Sequence, residues 1–158
     1  MVMNLYKTII DYKKRQIYIW QEKDNKDCFL VDKGDIVCFS TKSEYEAFVN
    51  ELDLNVIDEE NEIYIMTKRN LIELKNKDIF KFCNEMLNVW NLAIDIRNSF
   101  TEEDTILDGN KRLYDKLFYG CNLIDSKEEP YVPYFSDIEY RQIKAILNAS
   151  YKWIDSKL

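Results

Sequence analysis

Carboxylates are the residues of this 158-residue chain whose types and spacing could do chemistry. Residues 51–62 (ELDLNVIDEENE) hold six of them and no basic residue, and residues 102–108 (EEDTILD) hold four more. Glu128 and Glu129 form a smaller pair, and the Glu22–Asp27 stretch is a fourth acidic segment. Carboxylate clusters bind calcium where a loop is framed as D-x-[DN]-x-[DN]-G, and no stretch here has that frame. Two readings remain for the clusters: a solvated surface, or an electrostatic face for a cationic partner. Acid–base work asks more, namely two carboxyls on facing elements in different environments. Asp95 is the best candidate, set in the otherwise apolar Trp90–Ile96 stretch. No obvious second carboxylate accompanies it, and Arg97 or Lys81 could neutralise it. A salt bridge at the edge of the core is therefore the stronger reading of Asp95.

Other chemistries lack their parts. The chain has no His, which removes the imidazole general base and His-containing zinc sites. The four Cys, at 28, 38, 83 and 121, include no C-x₂₋₄-C pair. Cys28, Cys38 and Cys83 sit in apolar runs, where a free thiol behaves as a small buried hydrophobe, so reduced structural thiols are expected. Gly34, Gly109 and Gly120 are too far apart for a phosphate-cradling loop. No cofactor and no metal are expected, and the chain reads as a protein that is not an enzyme.

Charge narrows the partners. Asp and Glu number 29 against 22 Lys and Arg, a net charge of −7, and Lys13-Lys14-Arg15 is the only basic triplet. Nucleic acids and anionic membranes are bound mainly through Lys and Arg, so neither is expected as a direct partner. A basic protein is the natural one, because complementary charge speeds encounter. The N-terminal residues lack the apolar core of a signal peptide, and no apolar run approaches about 18 residues, which points to a cytoplasmic protein.

The elements that must position these residues change in period along the chain. Residues 15–20, 28–32 and 35–40 are dense in β-branched and aromatic residues and predict a three-stranded antiparallel meander, with Gly34 at a tight turn. Residues 5–10 fit either a further strand or a short helix. Thr41 with Glu44, and Ser43 with Glu46, match the capping-box pattern before a helix whose apolar face is Tyr45, Phe48, Val49 and Leu52. Glu62–Met66 reads as another strand. From Asp78, a plausible N-cap, the period is helical to about Asn98. A second helix covers Asn110–Tyr119 with Gly120 in an αL cap. A third opens at a Ser136–Glu139 capping box and buries Ile143, Ile146, Leu147, Tyr151 and Ile154. Tyr131, Tyr134 and Phe135 lie in a Pro-containing loop, where exposed rings would make interface anchors. The class is α+β: an N-terminal antiparallel β-meander packed with a C-terminal helical half.

Trp90–Asp95 (WNLAID), Leu113–Leu123 (LYDKLFYGCNL), Tyr131–Phe135 (YVPYF) and the helix Ser136–Leu147 resemble a family of bacterial immunity proteins. These are the cognate antitoxins of contact-dependent growth inhibition and related polymorphic toxin systems. The N-terminal meander fits the family loosely, and Cys121 stands where the family pattern favours Asn. The resemblance implies a non-catalytic inhibitor of a toxin C-terminal domain, often a nuclease, and assigns Tyr114, Leu117 and Phe118 to the core. The resemblance covers roughly the last 70 residues; length predicts one domain over residues 1–158, and periodicity makes 1–67 mainly β plus one helix and 68–158 mainly α. Contact residues differ between cognate pairs, so none carries over from the family. The acidic clusters name them instead: Asp58, Glu59, Glu60, Glu62, Glu102, Glu103, Asp104, Glu128 and Glu129, with Tyr131 and Tyr134 as aromatic anchors. The alternative is an acidic adaptor or regulatory module for another basic protein.

Overall fold

A computed structural model describes residues 4–123 and 129–158. Its architecture is α+β: a mixed sheet in the N-terminal part is followed by helices. The strands are β1 Asn4–Tyr12, β2 Lys14–Lys23, β3 Lys26–Phe29, β4 Val31–Asp32, β5 Asp35–Ile36, β6 Cys38–Phe39 and β7 Val56–Tyr64. The helices are α1 Lys42–Glu51, α2 Lys68–Leu74, α3 Ile79–Ser99, α4 Thr105–Asp108, α5 Lys111–Gly120 and α6 Asp137–Lys157. None of the described helices is long and apolar enough to cross a membrane. The chain divides into two compact units: Met1–Ile65 with Asp95–Glu103 and Ser156–Leu158, and Met66–Ile94 with Asp104–Asp155.

In the first unit β1 is flanked on both sides, by antiparallel β2 and parallel β7. Residues 5–10, ambiguous in sequence, thus belong to a strand paired on both sides. The chain reverses at Lys13 (φ 61°), and again at Asp24-Asn25 (φ 53° and 62°), where two successive left-handed residues make the hairpin turn that matches strand twist. Gly34 (φ 84°) follows Lys33 (φ 53°) in a third such turn, between β4 and β5.

The expected meander is corrected. Segment 35–40 does not continue outward; its last part, β6, returns to β2 through Ile17↔Phe39 beside the β2–β3 pairing at Trp20↔Phe29. β4 and β5 form a separate small hairpin between them. Burial explains the return, because Phe29 and Phe39 are both buried and each needs the apolar surface of β2. α1 then covers one face of the sheet, with Tyr45 joining Leu5, Ile9, Ile17, Ile19 and Phe39, and Phe48 and Val49 packed alongside. Its cap is Thr41, whose hydroxyl accepts from the Glu44 N–H at 3.2 Å, while Glu44 reaches back to the Ser40 N–H at 3.2 Å. The competing Ser43–Glu46 frame is not the cap. Leu52, expected on the apolar face, is exposed where the helix ends.

The second unit is built on α3. Asp78 caps it through the Lys81 N–H at 3.1 Å. Trp90 is buried because its indole N–H donates to the Leu107 carbonyl at 2.9 Å, sparing the roughly 1–3 kcal/mol cost of an unsatisfied donor. Its ring meets Tyr114 edge-on at 5.2 Å. α5 is capped by Asn110 through the Leu113 N–H. α6 opens on the expected capping box, with Glu139 N–H donating to Ser136 Oγ at 3.2 Å and Ser136 N–H to Glu139 Oε1 at 3.0 Å. The five apolar residues assigned to the α6 face are all buried. Short α2, capped by Thr67, has Leu71 as its buried residue and no counterpart in the sequence reading.

Gly120 is not an αL cap. It is the last residue of α5, and the left-handed residue is Asn122 (φ 52°), two positions on. Close packing demands glycine instead, since a Cβ would lie 2.6 Å from Cys83 Sγ and 2.9 Å from Pro133 Cγ. Gly120→Ala should therefore destabilise the fold by about 1–3 kcal/mol despite alanine's better helix propensity. In urea denaturation, adding Cys83→Ala should recover part of that loss; strictly additive effects would place the strain elsewhere.

Candidate functional site

The carboxylates of residues 58–62 lie on β7, which begins six residues before the strand expected at Glu62. Their density hid it, because acidic residues are poor strand formers. Only β1 pairs with β7 among the described residues, so β7 is a sheet edge. The register slips after Tyr6↔Ile57 and resumes at Lys7↔Glu60, which leaves Asp58 and Glu59 in a bulge. Glu60 pairs with Lys7 at 3.2 Å and Glu62 with Arg15 at 3.2 Å. Asp58 and Glu59 are exposed and pair with no cation among the described residues. They line, with Glu60, a groove of about 520 Å³ beside α1, whose other residues include Lys42, Tyr45, Glu46, Val49 and Leu54.

Glu102 and Glu103 line a different cavity of the same unit, about 340 Å³, together with Gln21, Lys23, Cys28, Asn98 and Ser99. The end of α3 is fixed there: Phe29 N–H donates to Ser99 Oγ at 2.7 Å, and Asn98 Nδ2 donates to the Asp27 carbonyl at 3.1 Å. Asp95 lies one turn earlier, joined through its carbonyl to the Ser99 hydroxyl at 2.7 Å. Burial pushes its carboxyl up to about 8, the Asp27 carboxylate adds to the shift, and a hydrogen bond from Trp20 opposes it. Asp27 is itself raised by burial and by Glu22. The charged neighbour that shifts Asp95 is therefore a second carboxylate rather than Arg97 or Lys81. Arg97 Nη2 donates instead to Asn98 Oδ1 at 2.9 Å.

The remaining candidates fall in the second unit. Asp104 is structural: its carboxylate caps α4 through the Ile106 and Leu107 N–H groups and accepts Trp153 Nε1 at 2.9 Å. Glu128 lies outside the described residues, and Glu129 is exposed. Tyr131 and Tyr134 are exposed too, while Pro133 and Phe135 between and beyond them are buried. Asn122 holds this segment by its backbone, accepting from Tyr131 N–H at 2.8 Å and donating to the Tyr131 carbonyl at 2.9 Å. Phe118, expected in the core, is exposed, as are Tyr119, Leu123, Val132 and Ile138. Tyr119 and Phe118 meet edge-on at 5.9 Å. Their display was missed because helical spacing alone does not say how wide the buried stripe is. Lys116 pairs with Glu139 at 2.9 Å. The Ser136 N–H, followed by that ammonium, holds Glu139 below the usual carboxylate range.

The four cysteines are free thiols, and Cys38 is exposed rather than buried. Burial pushes the Cys83 thiol up to about 12, which makes it inert at neutral pH. The predicted contact residues thus fall into separate groups: Asp58, Glu59 and Glu60 at one groove, Glu102 and Glu103 at another cavity, and the aromatic segment in the second unit. Comparison with known proteins finds no family model, no curated protein and no solved structure that matches the chain.

Asp95 gives a pH signature. Its folded pKa lies above the value of an unfolded carboxyl, so the folded state holds the extra proton between about pH 4 and pH 8. The stability associated with that proton is full below this window and is lost as pH rises through it. Asp95→Asn should flatten the fall of the urea midpoint between about pH 5 and about pH 9 relative to the parent chain. Parallel pH profiles for the two proteins would show that Asp95 is ionised in the fold. Asp104→Ala should cost roughly 1–3 kcal/mol of stability, since it removes a cap and orphans the Trp153 donor.

Proposed function

We propose that this chain is an immunity protein, a non-catalytic inhibitor that binds the C-terminal domain of a cognate bacterial toxin stoichiometrically and blocks its active site. The observation that carries the reading is the exposed carboxylate row on the β7 edge, where Asp58 and Glu59 are bulged out of register and unpaired among the described residues. A toxin that cleaves nucleic acid needs a cationic groove for phosphates, and fixed carboxylates can occupy such a groove in their place. The aromatic segment Tyr131–Tyr134 offers a second kind of anchor, since interface energy concentrates in Tyr and Trp. The resemblance at Trp90–Asp95 and Leu113–Leu123 supports the same reading. An acidic adaptor for some other basic protein would use the same groups, so the toxin itself is the discriminating reagent.

The test is paired expression. The toxin domain encoded beside this chain, induced alone, should arrest growth; co-expression should relieve the arrest, and both should elute as one complex. A harmless domain, or arrest that persists despite soluble expression of this chain, would remove the immunity reading. Reversal of Asp58, Glu59 and Glu60 to Lys should weaken the complex chiefly through slower association at low salt. Affinity and salt dependence both unchanged would take this edge out of the interface.

A further inference from the structure

We infer that the groove between α1 and the start of β7 is a seat for a single Arg or Lys side chain presented by the basic partner, an inference that rests on the reading of this chain as a binder of such a protein. The groove has an apolar floor, because Tyr45, Val49 and Leu54 belong to the packing of the sheet core and also line it. Its rim is acidic: Glu46, Asp58, Glu59 and Glu60 face Lys7 and Lys42, which leaves two carboxylates in excess. A long cationic side chain matches both parts, since its methylenes lie on apolar surface while its charged head reaches outward. The groove already treats one cation this way: the Lys7 ammonium stands over the Tyr45 ring at 5.3 Å and pairs with Glu60 at 3.2 Å. Lys7 and Glu60 satisfy one another, and Lys42 pairs with Glu46 at 3.7 Å. The two carboxylates left over are the bulged Asp58 and Glu59.

Other occupants fit poorly. Addition of a partner strand to the β7 edge is opposed by the bulge, which breaks the regular row of backbone groups. A second copy of this chain would set carboxylate against carboxylate along the same edge, and like charges directly opposite are destabilising. A side chain entering from a basic surface meets neither obstacle.

The probe is the capped peptide acetyl-Gly-Arg-Gly-Arg-Gly-amide, titrated into the ¹⁵N-labelled full chain, with the citrulline peptide as its neutral isostere. The arginine peptide should move the amide resonances of Tyr45, Val49, Leu54, Asp58 and Glu59, and the citrulline peptide should leave them in place. The double substitution Asp58→Asn, Glu59→Gln should weaken arginine-peptide binding at least about threefold, whereas Glu102→Gln, Glu103→Gln should not. Shifts centred on Glu102 and Glu103, shifts spread over every acidic segment, or binding indifferent to the Asp58 and Glu59 changes would overturn the seat. Paired expression with the toxin reports separately. A chain that binds the peptide at the groove and fails to neutralise the toxin keeps the seat and loses the immunity role. A chain that neutralises the toxin while the peptide maps elsewhere does the reverse.

Discussion

The parallel pairing of β7 with β1 is the constraint on which the first unit depends. Antiparallel neighbours can be joined by a turn, but a parallel neighbour requires the chain to leave one end of the sheet and return to the other. Everything from β2 to α1 is that return path. It supplies the far side of the sheet through β3 and β6, and it lays α1 across the face that holds Leu5, Ile9, Ile17 and Ile19. Because β7 is reached last, it becomes an edge, and an edge must be protected from pairing with other chains. Four acidic side chains and a bulge do this, and the ion pairs of Glu60 with Lys7 and Glu62 with Arg15 anchor the strand to the body of the sheet. Protection of the edge and display of charge are thus one arrangement.

The charge on the other cavity follows a different logic. There the last turn of α3 is fastened to β3 by Ser99 and Asn98, and the fastening brings Asp95 close to Asp27. Two carboxyls in a partly desolvated place do not both ionise easily, so the fold holds a proton near neutral pH. Glu102 and Glu103, by contrast, are exposed where they line the cavity at this end of α3.

Local signals in the sequence were the legible ones. Thr41, Asp78 and the Ser136–Glu139 box cap helices as their side-chain chemistry dictates, and the Ile143–Ile154 stripe is buried. Features set by distant residues were not legible. Nothing in residues 56–61 announces a strand, because Lys7 and Arg15, far away in sequence, make its carboxylates tolerable. Gly120 looked like a terminator and is instead a contact surface for Cys83 and Pro133, which only the tertiary packing reveals. Asp27 was invisible as the companion of Asp95 for the same reason. Of the site, the acidic segments were identified in sequence, but their division among separate surfaces, and the structural task of Asp104, come from the fold.

The two hydrogen bonds from Asn122 to residue 131 engage only main-chain atoms, and the inward contacts of that segment belong to Pro133 and Phe135. Shape and display are therefore carried by different atoms. The rings at 131 and 134 can be exchanged for other side chains without disturbing what holds the backbone. The segment is in effect a frame with interchangeable fittings, in which the displayed side chains can change while the fold stays still.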